Sequence, residues 1–437
     1  MIRRWVSAAL ALATAVPLLA QADRAGRLGT LEFPTSTPSE AAREAFVRGV
    51  LLLHSFEYGD AAAEFRRAEA ADPAFAMAYW GEAMTENHPV WNQRNAKAAR
   101  EALAKLAPTP AERLAKAPTE REKGYLHAVD VLYADGEKKE RDREYAEEMR
   151  KLHEAYPKDD EATLFYALAL LGSCEGDRDV SVYEKAGALA SEVFARHPDH
   201  PGAAHYVIHS YDDPAHAERA LPAARAYAKI APAATHALHM PSHIFLALGM
   251  WDDVIAANVA SWKASGETSY HALHWLEYGY LQEGRRSEAG QALADMERAT
   301  SRDPSERAWD HLAWMRAADI VDAPRDSRAA DIRIPEGKLS RSARADDAFA
   351  TGFAALHRGG DAGQSLASLD ELAKESAEGS EIAGILRDEL RGAALAHEGR
   401  TDEAARLVGE AADREEKMPY GFGPPEPAKP ARELLGE

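Results

Sequence analysis

"EYGDAAAEFRRAEAADP", residues 57–73, sets Ala61, Phe65, Ala68 and Pro73 at steps of four, three and five. On an α-helix, steps of three and four fall on one face. Small residues on that face let a second helix approach closely, and an aromatic fills the space between the two. A proline, which lacks the backbone N–H, then ends the pair. Counting back along the same unit gives a start at Ala42, with Gly49 at its eighth place. The stretch predicts a packed pair of helices.

The spacing resembles the second-helix signature of a tetratricopeptide repeat (TPR), a unit of about 34 residues. It returns along the chain. "ALPAARAYAKIAP" (220–232) places Ala220 and Pro232 twelve apart and sets a unit starting at Pro201. The next unit starts at Thr235, with Gly249 at its loop and Trp251 just after. A third starts at Tyr270, with Gly284 at its loop and Ala289 beyond. Weaker copies occupy 76–92, 145–157 and 385–416. Almost no stretch reads as strand, and the Ala, Leu, Glu and Arg content suits helices throughout. The expected fold is all-α: a right-handed α-solenoid of stacked TPR-like helical hairpins.

The register is interrupted twice. Residues 93–140 carry "APTPAERLAKAPTEREKG", a proline-punctuated helical insertion, and 323–345 are polar and proline-bearing, as in a linker or long loop. The expected organisation is a signal peptide at 1–22, a TPR-like solenoid over 23–322 and that linker at 323–345. TPR-like helices then fill 346–437, with "MPYGFGPPEPAKP" as a non-helical stretch among them. The signal rests on Arg3 and Arg4, the apolar "WVSAALALATAVPLL" and the small-residue site Ala20-Gln21-Ala22. Cleavage after Ala22 would export the protein, to a periplasm or outside the cell. The apolar run is too short for a comfortable membrane span, so no span is expected after cleavage.

The chain has 437 residues, 28% charged and 46% hydrophobic, with a formal net charge of −20. That acid excess argues against nucleic acid or an anionic membrane as partner. The single cysteine, Cys174, excludes an internal disulfide and a thiolate zinc cluster, and a buried structural thiol is expected.

The histidines carry the chemistry. In tetratricopeptide repeats the first helix of each unit lines the concave groove, with positions 2, 5, 9, 12 and 13 facing it. In registers set without reference to histidine, His205 and His209 fall at 5 and 9. His236, His239 and His243 fall at 2, 5 and 9, and His271 and His274 at 2 and 5. Of the eight histidines in 201–303 only His216 misses, which chance would produce on the order of once in 10⁵. In earlier units His54 and His88 fall at position 13. Clustered imidazoles disfavour one another's charged form, which leaves neutral nitrogen donors suited to a metal. The pairs 205/209, 239/243 and 271/274 are each spaced to offer two nitrogens to one ion, and imidazole with carboxylate suits Zn, Cu, Fe or Ni. Asp212 and Asp213 would supply an oxygen ligand or a partner to a ligating ring; equally, they would be helix-end and turn residues before Pro214. Pro241 interrupts the segment, and a helix beginning near Met240 would leave His236 before it. Tyr278, at position 9, would face the groove. Within "ENHPVWNQRN" (86–95), Glu86, His88, Trp91 and Asn92 would either form a polar rim over it or belong to an ordinary connecting loop.

Longer stretches, "AMAYWGEAM", "HYVIHSYDDPAHAERALPAA", "HALHMPSHIFLALGMWDDVIAAN" and "YGFGPPEPAKPARELLGE", resemble a set of exported bacterial tetratricopeptide proteins of generally unassigned activity. The likeness covers most of 42–437 and centres on HxxHMPSHI. It implies the fold, and it implies that His205, His209, His239 and His243, with the pair 271/274, are that group's matching histidines. Similar proteins run on past Glu437 into another helical hairpin, without which the last helices would bare apolar surface.

Three functions are consistent with the sequence. One is an exported repeat protein whose groove histidines hold a transition metal. Another is a metal-free scaffold that stacks and hydrogen-bonds a peptide or protein along the groove. The third is a metal-dependent hydrolase or oxidase acting on a small-molecule substrate at the same cluster. HExxH, GxSxG, CxxC and the phosphate-binding glycine loop are all absent, so no reaction class is named.

Overall fold

A computed structural model describes residues 27–174, 178–374, 379–419 and 421–437. The expected signal peptide at 1–22 lies outside the described residues. Among the described residues no helix is long and apolar enough to cross a membrane. The fold is the all-α, TPR-like succession of helical hairpins expected, and its strands are one two-residue pair, Asn87–His88 with Gln93–Arg94.

The chain divides into two compact units. The first takes the residues up to Ser173 together with Lys185–Val207 and Arg225–Leu238. Its opening hairpin joins Glu40–His54 to Tyr58–Ala71, and Ser39 caps the first helix by accepting from Ala42 N at 3.3 Å. The glycines that face the founding stretch have a direct steric reason. A Cβ on Gly49 would stand 2.8 Å from the Phe65 ring, and one on Gly81 only 2.3 Å from it. Phe65 is therefore the wedge between two helices that approach closely only because each presents bare Cα there. Phe33, Phe46, Phe75, Trp80, Tyr125 and Phe165 extend this core, with ring centroids 5.0 to 6.4 Å apart. Each such side chain stabilises the unit by about 1.5–3 kcal/mol on burial. The proline-punctuated segment supplies the helices Ala96–Leu106, Pro110–Lys116 and Glu120–Leu132, and Thr109 with Glu112 forms a capping box at the second.

The second unit comprises Cys174–Glu184, Ile208–Ala224 and the chain from His239 onward. Its hairpins turn at glycines in the left-handed region. At Gly249 (φ 67°) the Met250 N–H reaches back to Phe245 O at 2.8 Å, and at Gly284 (φ 66°) Arg285 N–H reaches Tyr280 O at 2.8 Å. These bonds close the last turn of one helix and aim the next. Residues 323–345 contain two short 3₁₀ turns, Arg328–Asp331 and Glu336–Lys338, before the helix Arg341–His357 begins. Cys174 is half-buried and free rather than fully enclosed.

The segment around Pro241 folds as two short helices, Thr235–His239 and Pro241–Ala247. Met240 between them keeps helical angles (φ −52°, ψ −35°), so proline removes a ladder bond without turning the chain away. His236 lies on the first of the two helices and His243 on the second.

Candidate metal centre

In the second unit the HxxHMPSHI segment brings two imidazoles together nitrogen to nitrogen, their planes 79° apart. His239 Nε2 and His243 Nε2 stand 3.1 Å apart, with His239 3% exposed and His243 9%. The opposite nitrogen of each ring is already engaged. His243 Nδ1 lies 2.6 Å from Asp212 Oδ2, and His239 Nδ1 lies 2.7 Å from Asn258 Oδ1. Asn258 Nδ2 donates to Val254 O at 2.9 Å, which turns the amide oxygen toward His239. Carboxylate and amide oxygens only accept, so both Nδ1 atoms carry the proton. In the neutral rings, two Nε2 lone pairs then point at one another. Only a proton or a cation between them relieves that repulsion.

Burial, reinforced by the neighbouring His243, pushes His239 down to about 3 despite its bond to Asn258, so this ring is neutral near pH 7. His271 completes a trio whose ligand atoms lie within 4.8 Å of one another. Its ring centroid is 4.6 Å from that of His239, and burial, with the other histidines adding to it, holds it well below the usual range. Trp275 closes the apolar side, 4.9 Å from His239 and 4.3 Å from His243 between ring centroids. The non-helical C-terminal stretch backs that indole: a Cβ on Gly423 would meet Trp275 Cζ2 at 2.4 Å, so only glycine fits.

The geometry suits a transition metal. Two nitrogens bound to one ion at about 2.0–2.1 Å stand about 3.3 Å apart at the tetrahedral angle and about 2.9 Å apart at a right angle. The observed 3.1 Å falls between. Asp212 and Asn258 meanwhile hold the rings in the tautomer that a metal needs.

The other residues singled out in the sequence are distributed as follows. His209 is buried, its ring 6.3 Å from that of His243. His274 stacks on Trp314 at 6.0 Å and lies 5.8 Å from His311; desolvation lowers it to about 4. Asp213 is a turn residue: its carboxylate accepts from Ala215 and His216 N–H and pairs with Arg178 at 2.9 Å. Asp212, by contrast, turns its carboxylate to the His243 ring. Tyr278 is half-buried, its ring 5.9 Å from Trp251, and burial raises it to about 12.

In the first unit His54 is fully enclosed, so it does not line a surface. Its Nε2 meets Glu161 Oε2 at 2.7 Å, its Nδ1 meets the Tyr206 hydroxyl at 2.8 Å, and Glu161 Oε1 accepts from His200 Nε2 at 2.9 Å. Ala203 N–H donates to His200 Nδ1 at 3.3 Å, so the His200 proton sits on Nε2, facing the carboxylate. Here donors face acceptors, and the trio is a hydrogen-bonded lock. Burial alone would raise Glu161; His54 and His200 outweigh it and hold it near 2. His88 stacks on Tyr58 at 3.8 Å, and its Nε2 lies 3.1 Å from Thr85 O. Trp91 is 46% exposed, with its ring 5.7 Å from His236. His236 and His205 bring their Nε2 atoms to 3.1 Å.

Sequence reasoning missed Asn258, Glu161, His200 and His311. Their signal is tertiary, because each lies on a different segment of the chain from the ring it serves or faces.

No family model matches the chain, and no curated protein matches it. Among solved structures, the yeast Tom70 has a TM-score of 0.41 at 13% identity over 86% of this chain and 85% of that one. A Rap protein complexed with competence and sporulation factor has 0.39 at 14%, over 87% and 99%. The human IFIT1 dimer with m7Gppp-AAAA has 0.38 at 15%, over 91% and 93%. Likeness at this level says nothing of ligand or partner.

Proposed function

We propose that this is an exported TPR-like binding protein that holds a transition-metal ion between His239, His243 and His271. One observation carries the reading: two buried imidazoles direct their Nε2 atoms at each other across 3.1 Å while oxygen acceptors fix the proton of each on Nδ1. A metal ion between them would accept both lone pairs with both rings neutral, the state in which burial holds His239. Zn, Cu, Fe and Ni all suit an imidazole set without thiolate.

Three protein nitrogens with one half-buried member leave room for a further ligand, the pattern of catalytic rather than closed structural sites. That observation favours a metal-dependent hydrolase or oxidase acting on a small molecule over a purely structural ion. The exposed Trp91 favours a peptide as the bound partner should the protein act as a metal-free scaffold.

The test is calorimetric titration of chelator-stripped protein with zinc and with copper, beside the double variant His239→Ala/His243→Ala. The reading predicts tight binding by the parent and a loss of at least a hundredfold at this site, with helicity by circular dichroism unchanged. A folded double variant that takes up as many ions as the parent, with equal affinity, would overturn it.

A further inference from the structure

The repeat that positions His239 carries the same chemistry one step earlier. His205, His209 and His236 precede His239, His243 and His271 by 34, 34 and 35 residues, the length of one repeat. Within the first unit the pivot residue is arranged as its later counterpart is. His205 Nδ1 lies 2.6 Å from the backbone oxygen of His54, as His239 Nδ1 lies 2.7 Å from an amide oxygen. A carbonyl only accepts, so the His205 proton is on Nδ1 and its Nε2 lone pair is directed elsewhere. That lone pair meets His236 Nε2 at 3.1 Å, the separation found in the later pair.

The surroundings are those of a positioned ligand rather than a loose ring. Phe56 packs 4.3 Å from His205 on one side and Tyr227 stacks at 5.1 Å on another. The carbonyl that pins His205 belongs to His54, whose side chain is fixed in turn by Glu161 and Tyr206. His236 is held through its backbone, because Glu57 Oε1 accepts from His236 N at 3.1 Å and from the Thr235 hydroxyl at 2.9 Å. His236 is half-buried and exposed Trp91 stands beside it, which gives this end of the pair access to solvent.

We infer that His205 and His236 form a second transition-metal site, so that the protein carries one ion for each of two successive repeats. The inference rests on the reading of His239, His243 and His271 as a metal site. It deepens that reading by adding a second, separately removable ion, and with it the stoichiometry. The Glu161 lock acts here as a buttress that sets the His54 carbonyl, and its own rings stay unligated.

Metal stoichiometry decides the matter. Chelator-stripped protein is reloaded with excess zinc, freed of unbound ion by gel filtration and measured by plasma mass spectrometry. The expected values are two equivalents for the parent, one for His205→Ala/His236→Ala, one for His239→Ala/His243→Ala, and none for the quadruple variant. His236→Gln alone, at a half-buried position, should also fall to one and guards against misfolding of the buried His205 substitution. One equivalent in the parent that survives His205→Ala/His236→Ala and vanishes with His239→Ala/His243→Ala would overturn the second site alone. It would leave the rings joined by an ordinary hydrogen bond. No zinc in the parent would overturn both.

Discussion

His243 Nδ1 and Asp212 Oδ2 stand 2.6 Å apart, and that bond fixes which nitrogen of His243 is left to bind. Asp212 is 2% exposed, in the turn after the helix Pro201–Ser210, and it touches the His243 ring on the side away from His239. On the metal reading it would hold the tautomer and raise ligand basicity. Asp212→Ala is expected to weaken metal binding about 10- to 100-fold. Asp213→Ala, one residue on but engaged in a turn, should leave affinity unchanged. Calorimetric titration of the two variants checks this; equal effects would remove the distinction between them.

Phe65 and Gly81 test the packing. A methyl on Gly81 would meet the Phe65 ring at 2.3 Å, so Gly81→Ala should destabilise the protein by about 1–3 kcal/mol through overpacking. Gly59, in the helix Tyr58–Ala71, has nothing within 4 Å of such a methyl. Gly59→Ala should therefore stabilise by about 0.5–1 kcal/mol, since alanine loses less backbone freedom on folding. Urea denaturation of both variants reads the opposite signs.

The Glu161 lock should be costly to break from one side. Glu161→Ala would leave His54 and His200, both deeply buried, without their shared acceptor, and a loss of about 3–5 kcal/mol is expected. Because the folded carboxyl is held near 2, below its unfolded value of about 4.3, its contribution is complete above about pH 4.3. It is lost as pH falls from there through about 2. Denaturant melts at several pH values should therefore show the gap between parent and variant narrowing as pH falls from about 4.3 toward 2.

His274 provides the opposite proton linkage. Desolvation lowers it to about 4, against about 6.5 in the unfolded chain, so the unfolded state binds the proton more readily. Metal-free protein should lose about 1.4 kcal/mol per pH unit from this group between pH 6.5 and 4. His274→Gln, which does not titrate, should lack that slope. Denaturant melts at several pH values measure the difference between parent and variant, in which the contributions of groups distant from His274 cancel.

Much of the fold was legible because the hairpin signature is local. Ala61, Phe65, Ala68 and Pro73 describe one helix and its end, and Gly249 and Gly284 mark turns whose positive φ glycine alone adopts at no cost. The recurrence of the histidines was legible for the same reason, since it follows the length of the repeat. What could not be read was which imidazoles meet. His239 and His243 share a segment and do meet. His274, at an equivalent repeat position, goes instead to Trp314 and His311, some 40 residues away in sequence. His54 shows the limit from the other side. Its register position was groove-facing, but Glu161 and His200, brought in from elsewhere in the chain, enclose it in the interior.

The most direct test of the central claim is elemental analysis of the untagged protein purified from its native host without chelator. The account predicts at least one equivalent of Zn, Cu, Fe or Ni, lost in His239→Ala/His243→Ala at that site. Protein that arrives without metal, and takes up none of the four when each is supplied in excess, would contradict it.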